Sequence, residues 1–248
     1  MRKILQIIFS IYLLLFSITD VYSLEKSTHE ALNERATNVS IVNSYMINQL
    51  GFSEGLKTTF NNKWAIRWIM DGGKKEDEPF YTRSFNHFHN PLLSWDQAGY
   101  GGTFKSALLW AQDQGSFGSL FGGNYSWKAV RDYYYLGLTS LTKTDREKNL
   151  AETFRGLGQL MHLVTDMSVP AHSRNDGHLF YNYEKWVLGN PVDFVNATAF
   201  PTFFSGTIQD ISSLFDTNQY NGTNPSASNS VGLSEYTQAN FFSEDTIC

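Results

Sequence analysis

The sequence predicts an all-α fold, a single compact multi-helix domain over residues 24–248. Two observations carry that prediction. Apolar residues recur at helical spacing in several separate stretches, and no segment shows the alternation of a half-buried strand. Composition agrees: 248 residues at 42% hydrophobic and 17% charged can bury a core large enough to offset the entropy of ordering.

Residues 27–51 read as the first helix. Ser27 and Glu30 fit a capping box, and Ile41, Val42, Tyr45, Met46 and Leu50 follow at helical spacing before Gly51. Residues 72–91 read as a loop, broken by Gly72, Gly73, Pro79 and Pro91 and carrying Lys74, Lys75, Glu76, Asp77 and Glu78. A short helix at 104–112 is followed by a Gly- and Phe-rich loop at 115–123. Residues 126–141 place Trp127, Val130, Tyr133, Tyr134 and Leu138 on one helical stripe. Thr144 or Asp145 then caps a helix whose apolar positions, Leu150, Phe154, Leu157, Met161 and Val164, run toward Pro170. Beyond Tyr183 the pattern weakens, and 218–230 read as a loop. The chain stops soon after an aromatic, helix-like phrase (Tyr236, Phe241, Phe242), which leaves a C-terminal truncation open.

Arg2 and Lys3 precede an apolar stretch at 4–18, and Ser23 comes after it as a small residue. This reads as a secretory signal peptide over 1–23, because a membrane span needs about 20 apolar residues. Cleavage after Ser23 makes Leu24 the first mature residue of a secreted or periplasmic protein. The formal net charge of −5 argues against a duplex nucleic-acid binder working through a basic field. No obligate protein partner is evident. The single cysteine, Cys248, excludes an internal disulfide and every thiolate zinc finger, so His and carboxylate must hold any metal.

Three of the six histidines, His162, His172 and His178, fall within residues 162–184 beside Asp166, Asp176 and Glu184. His162 and Asp166 stand four apart in the strongest expected helix, so both project from one face and can grip one cation, partly buried beside the apolar stripe. Pro170 ends that helix and lets His172 and His178 fold back on a turn. Such a set without sulfur suits Zn²⁺, with Mn²⁺ or Fe²⁺ weaker options. His29-Glu30 does not open a zinc-protease motif, because Asn33 stands where the second His would be.

The run from 158 to 172, with His162, Asp166, Pro170 and His172, resembles the H-x-x-x-D-x-x-x-P-x-H core of the zinc-dependent phospholipase C family, whose superfamily includes the fungal single-strand nucleases. Thr28-His29, Glu76-Asp77 and the run Asn86-His87-Phe88-His89-Asn90-Pro91 match further motifs in the same order. The resemblance implies a helical fold around a cleft with three zinc ions. Asp77, His87, His162 and Asp166 would surround one, and His172, His178 and Glu184 a second. His29 and Asp166 would hold the third, completed by the α-amino group and carbonyl of Leu24. His178 and Glu184 are six apart, where family members place the corresponding pair four apart. Glu78 and Ser84 stand where choline-selective phospholipases carry aromatics. His89, the remaining histidine, reads as a supporting or surface residue.

The expected activity is that of a zinc-dependent phosphodiesterase acting on a phospholipid or another phosphodiester at a membrane surface, with Asp77 and Asp166 as the catalytic carboxylates. Phe80, Phe85 and Phe88 would meet acyl chains. The alternatives are a single-strand nuclease that stacks bases on the same aromatics, and an inactive secreted zinc-binding module.

Overall fold

The computed structural model describes residues 26–177 and 232–243, and among them the chain is mostly helical. Helix α1 covers Lys26–Val39 and α2 covers Val42–Asn48. One continuous helix was expected here. Ser40 breaks it: its hydroxyl donates to the Thr37 carbonyl (2.7 Å) and accepts from the Val42 amide (3.2 Å), a local bonding pattern that competes with the helix ladder. Ser27 lies inside the first turn of α1 rather than capping it. Of the apolar series read into this stretch only Met46 is buried, and Ile41 is 78% exposed.

A two-residue antiparallel pair, β1 (Thr59–Phe60) with β2 (Lys63–Trp64), turns through Asn61 and Asn62, both at positive φ. Asn tolerates that region, and two such residues in sequence form the tight turn that matches strand twist. Strands this short leave no alternation to read.

Helix α3 (Ala65–Lys75) comes next, and its buried face of Ala65, Ile66, Ile69 and Met70 joins Phe60, Leu150, Ala151 and Phe154 in the main apolar cluster. Gly72 and Gly73 were expected to open a loop, yet both lie within α3. They serve close packing instead. A β-carbon on Gly72 would collide with the Arg155 carbonyl, and one on Gly158 with that of Ile69. Without side chains at the crossing, α3 and the later helix α8 (Lys143–Asp166) approach backbone to backbone. Asn33 of α1 closes the same junction by donating to the carbonyls of Ile69 (3.1 Å) and Gly158 (2.9 Å). Helices α1, α3 and α8 form one tightly packed layer.

Beyond α3 the expected loop is partly helical, with α4 (Phe80–Arg83) and a 3₁₀ turn at Ser84–Asn86. The short helix read at 104–112 is α5 (Ala107–Gln112), and the supposed loop at 115–123 contains α6 (Gly115–Leu120). Helix α7 (Trp127–Thr139) is capped by Ser126, whose hydroxyl accepts the Ala129 amide (3.4 Å). Its stripe is only partly buried: Val130 is buried, Tyr133 and Tyr134 are half-buried, and Trp127 is 52% exposed.

Helix α8 starts two or three residues earlier than read, because its N-cap is Thr142 rather than Thr144 or Asp145, the Thr142 hydroxyl accepting the Asp145 amide (3.1 Å). Leu150 and Phe154 are buried, Leu157 and Met161 pack at the edge of the cluster, and Val164 is 59% exposed. Helix α9 (Pro170–Arg174) begins at its proline, so His172 stands on a short helix where a turn was expected. Helix α10 (Leu233–Asn240) lies against α9, with Gln238 donating to the Ser173 carbonyl (2.9 Å) and Ser234 to that of His89 (2.8 Å). No helix among the described residues is long and apolar enough to cross a membrane.

Candidate metal centre

Six sequence-predicted residues converge where α1, α3, α8 and α9 meet. His162 and Asp166, one turn apart on α8, approach with Nε2 to Oδ2 at 3.2 Å. His29 comes from α1 and sets Nε2 3.3 Å from Asp166 Oδ1, its ring stacked on that of His162 at 3.5 Å between centroids. Asp77 stands just beyond the C-terminus of α3. Its Oδ1 is 3.4 Å from His87 Nδ1 and its Oδ2 3.8 Å from His162 Nε2. His87, on the turn after Ser84–Asn86, brings Nδ1 to 3.0 Å from Asp166 Oδ2. His172 on α9 lies at the margin, with Nδ1 3.7 Å from the same oxygen. All six are buried, so the site is deeper than the partly buried position expected. Leu24, His178 and Glu184 lie outside the described residues.

The surroundings fix which nitrogen of each ring carries hydrogen. His162 Nδ1 donates to the Gly73 carbonyl (2.6 Å), and His172 Nδ1 donates to that of His87 (2.9 Å). Thr165 gives its hydroxyl hydrogen to the His162 carbonyl (2.8 Å), so it accepts from His29 Nδ1 (2.9 Å). In the neutral rings Nε2 of His29 and Nε2 of His162 therefore carry the lone pair, and both are turned toward carboxylate oxygens. Lone pairs facing carboxylates repel unless a cation stands between them.

Two donor sets satisfy that requirement geometrically: His29, His162 and Asp166, and Asp77, His87 and His162, each with ligand atoms within 4.8 Å of one another. Both oxygens of Asp77 are buried without a hydrogen bond. Buried carboxylate oxygens left in that state are costly unless a cation takes them up. The residues present fit a divalent metal, and these buried His and Asp clusters could hold one.

The carboxylates favour the protonated form at two of these rings. Burial would lower the His87 pKa, but the carboxylates of Asp166 and Glu76 push it up to about 10. His162 is likewise raised: burial opposes its charge, and Asp166 and then Asp77 outweigh it. Burial would raise Asp166, yet His162 and His172 hold it well below the carboxylate range. His29 moves the other way, lowered by burial and by the neighbouring His162.

Glu76 is the residue whose role the sequence did not disclose. It is buried and ion-paired to the equally buried Arg83, whose Nε donates to its Oε2 (3.0 Å), while Trp110 Nε1 donates to its Oε1 (2.7 Å). Burial pushes the Glu76 carboxyl up, but Arg83 and then His87 hold it down to about 2. Arg83 is further tied to the carbonyls of Phe121 (3.0 Å) and Gly123 (2.9 Å) and to Gln159 Oε1 (2.9 Å). In the sequence it stood out only as the partner of Asp77 in the Glu76-Asp77 motif, which says nothing of its pairing. His89 is buried rather than at the surface, its pKa lowered to about 4 by burial, and its amide donates to the His172 carbonyl (3.0 Å). Beside the centre, Phe88 stacks on His172 at 4.6 Å, and Phe85 stacks on Tyr100 and Phe104.

No protein-family model matches the chain, and no curated protein or solved structure matches it significantly.

Proposed function

We propose that this chain is an exported zinc-dependent phosphoric diester hydrolase of the phospholipase C type. One observation carries the reading: His29, Asp77, His87, His162 and Asp166, scattered through the sequence, bring imidazole nitrogens and carboxylate oxygens together in one buried cluster. His29, His162 and Asp166 would hold one ion and Asp77 and His87, with His162, another. His172 would serve a third together with His178 and Glu184, and Leu24 would complete the set around His29. Zinc there would supply Lewis acidity toward a phosphoryl oxygen and toward water.

The chain's own groups divide the remaining work. Asp166 faces His29 with one oxygen and His87 and His162 with the other, so it sets the separation between the two donor sets. Its depressed pKa keeps it from taking up a proton at neutral pH. Asp77 stands past the end of α3 with both oxygens free of hydrogen bonds, and can accept the proton of an attacking water. The backbone and hydroxyl partners of His29, His162 and His172 keep those rings oriented and lower the cost of assembling the site.

The lipid substrate is favoured by the net charge of −5 and by an apolar cavity of ≈ 580 Å³ bordering α8, lined by Leu108, Trp127, Leu160, Met161 and Val164. The half-buried stack of Phe85, Tyr100 and Phe104 supports a second reading, a single-strand nuclease in which bases lie on those rings. Assaying the zinc-loaded full chain against a phosphatidylcholine analogue and single-stranded DNA tests both. Lipid hydrolysis that disappears on chelation and in Asp77→Asn is the expected result. Cleavage of DNA alone would establish the nuclease. Bound zinc with no turnover on either substrate would leave an inactive metal-binding module.

A further inference from the structure

We propose that Glu76 is a positioning residue: held by Arg83 and Trp110, its carboxylate takes Nε2 of His87 and thereby aims Nδ1 of that ring at the cluster of Asp77, His162 and Asp166. The inference rests on the metal-centre reading and assigns a task to a residue outside the ligand set. Its first support is direction. Oε1 of Glu76 lies 3.6 Å from His87 Nε2, while His87 Nδ1 lies 3.0 Å from Asp166 Oδ2, 3.4 Å from Asp77 Oδ1 and 3.3 Å from His162 Nε2. The two edges of one imidazole thus face a carboxylate on one side and the donor cluster on the other. This is the carboxylate–imidazole–metal arrangement, in which the outer carboxylate selects the tautomer and raises ligand basicity.

The second support is rigidity. Arg83 bonds Oε2 through two nitrogens and Trp110 bonds Oε1, while Arg83 itself is fixed to the Phe121 and Gly123 carbonyls and to Gln159. Gln159 precedes His162 by less than one turn on α8, so the brace that orients His87 is anchored to the helix carrying its neighbours. The third support is the state of His87 Nε2, which is buried with no hydrogen bond at its present separation from Glu76. A small rotation of the ring brings that nitrogen onto the carboxylate. At the other three imidazoles the same task falls to neutral acceptors, Gly73, Thr165 and the His87 carbonyl.

The alternative is that Glu76 serves only to neutralise Arg83. Competitive zinc titration of the full-length wild type, Glu76→Gln and Leu150→Ala separates the two, with thermal midpoints recorded alongside. Leu150 lies in the apolar cluster at the far end of α8, and its truncation gauges what lost stability alone does to zinc affinity. The expected result is a 10- to 100-fold loss of zinc affinity in Glu76→Gln and less than a threefold change in Leu150→Ala. Equal affinity in Glu76→Gln and wild type would overturn the positioning role and leave the metal centre standing. A wild type that binds no zinc would overturn both. Should Glu76→Gln fail to fold, ¹⁵N shifts of His87 in the zinc-loaded wild type decide the matter. A protonated Nε2 with Nδ1 coordinated supports the assignment, and the opposite tautomer overturns it.

Discussion

Asp166 Oδ2 lies 3.0 Å from His87 Nδ1, joining the last residue of α8 to the turn just after the Ser84–Asn86 segment. The same carboxylate reaches His162 at 3.2 Å, His29 at 3.3 Å and His172 at 3.7 Å, so one buried anion faces four buried imidazoles. Its charge raises the pKa of both His87 and His162, that of His87 to about 10. Replacing Asp166 with Asn strands the positive charge of His87 and should destabilise the chelator-treated protein by about 3–5 kcal/mol, read from urea unfolding at pH 7. An unchanged midpoint would mean that the imidazoles are not charged there.

Zinc binding should be proton-linked. His87 in the metal-free fold is raised from 6.5 to about 10, so its proton stabilises the apo fold fully below pH 6.5. That contribution is lost as pH rises through about 10. Zinc competes for the same nitrogen, so its affinity runs the opposite way. It rises toward pH 10 and weakens on acidification, about tenfold per pH unit for each proton displaced. Calorimetric titration in buffers of different ionisation enthalpy should report at least one proton released per chain at pH 7. A buffer-independent enthalpy would contradict this.

The Glu76–Arg83 pair should act in acid. Glu76 is held at about 2 against an ordinary value of 4.5, so it stabilises the fold above pH 4.5 and that stability is lost as pH falls through about 2. Arg83→Met leaves the buried carboxylate without its counter-charge and should cost about 3–5 kcal/mol. For a domain of this size that lowers the thermal midpoint by about 6–20 °C. A wild-type midpoint in calorimetry at pH 7 would show that the pair does not carry the load assigned to it.

Gly158→Ala puts a methyl group against the Ile69 carbonyl in the crossing of α3 and α8. The helices must separate, at a cost of about 1–3 kcal/mol. Because Gly73 of α3 orients His162 of α8 through a 2.6 Å bond, the same change should weaken zinc binding. Loss of stability with wild-type zinc affinity would uncouple that crossing from the metal centre.

The parts of this arrangement legible in the sequence are those fixed by local spacing. His162 and Asp166 share a face because four residues make about one turn, and α8 stops before Pro170 because a proline ring cannot continue the helix ladder. The resemblance to phospholipase C motifs added His29, Asp77 and His87, which the fold brings to one place. Other features depended on contacts between distant segments. Gly72 and Gly73 looked like helix breakers, because the close approach of α8 that calls for them has no local signature. Trp127 and Leu138 looked like core because α7 is amphipathic, yet the described residues leave both largely exposed. Arg83 and Trp110 could not be paired with Glu76 before the fold placed them around it.

The central claim is that these imidazoles and carboxylates hold zinc, and the zinc content of purified full-length protein beside His162→Ala tests it most directly. His162 belongs to both donor sets. The wild type should carry at least one zinc per chain, and His162→Ala should lose most of it together with all phosphodiesterase activity. A folded wild type devoid of zinc after equilibration with the metal, or a variant that retains the full complement, would contradict the account.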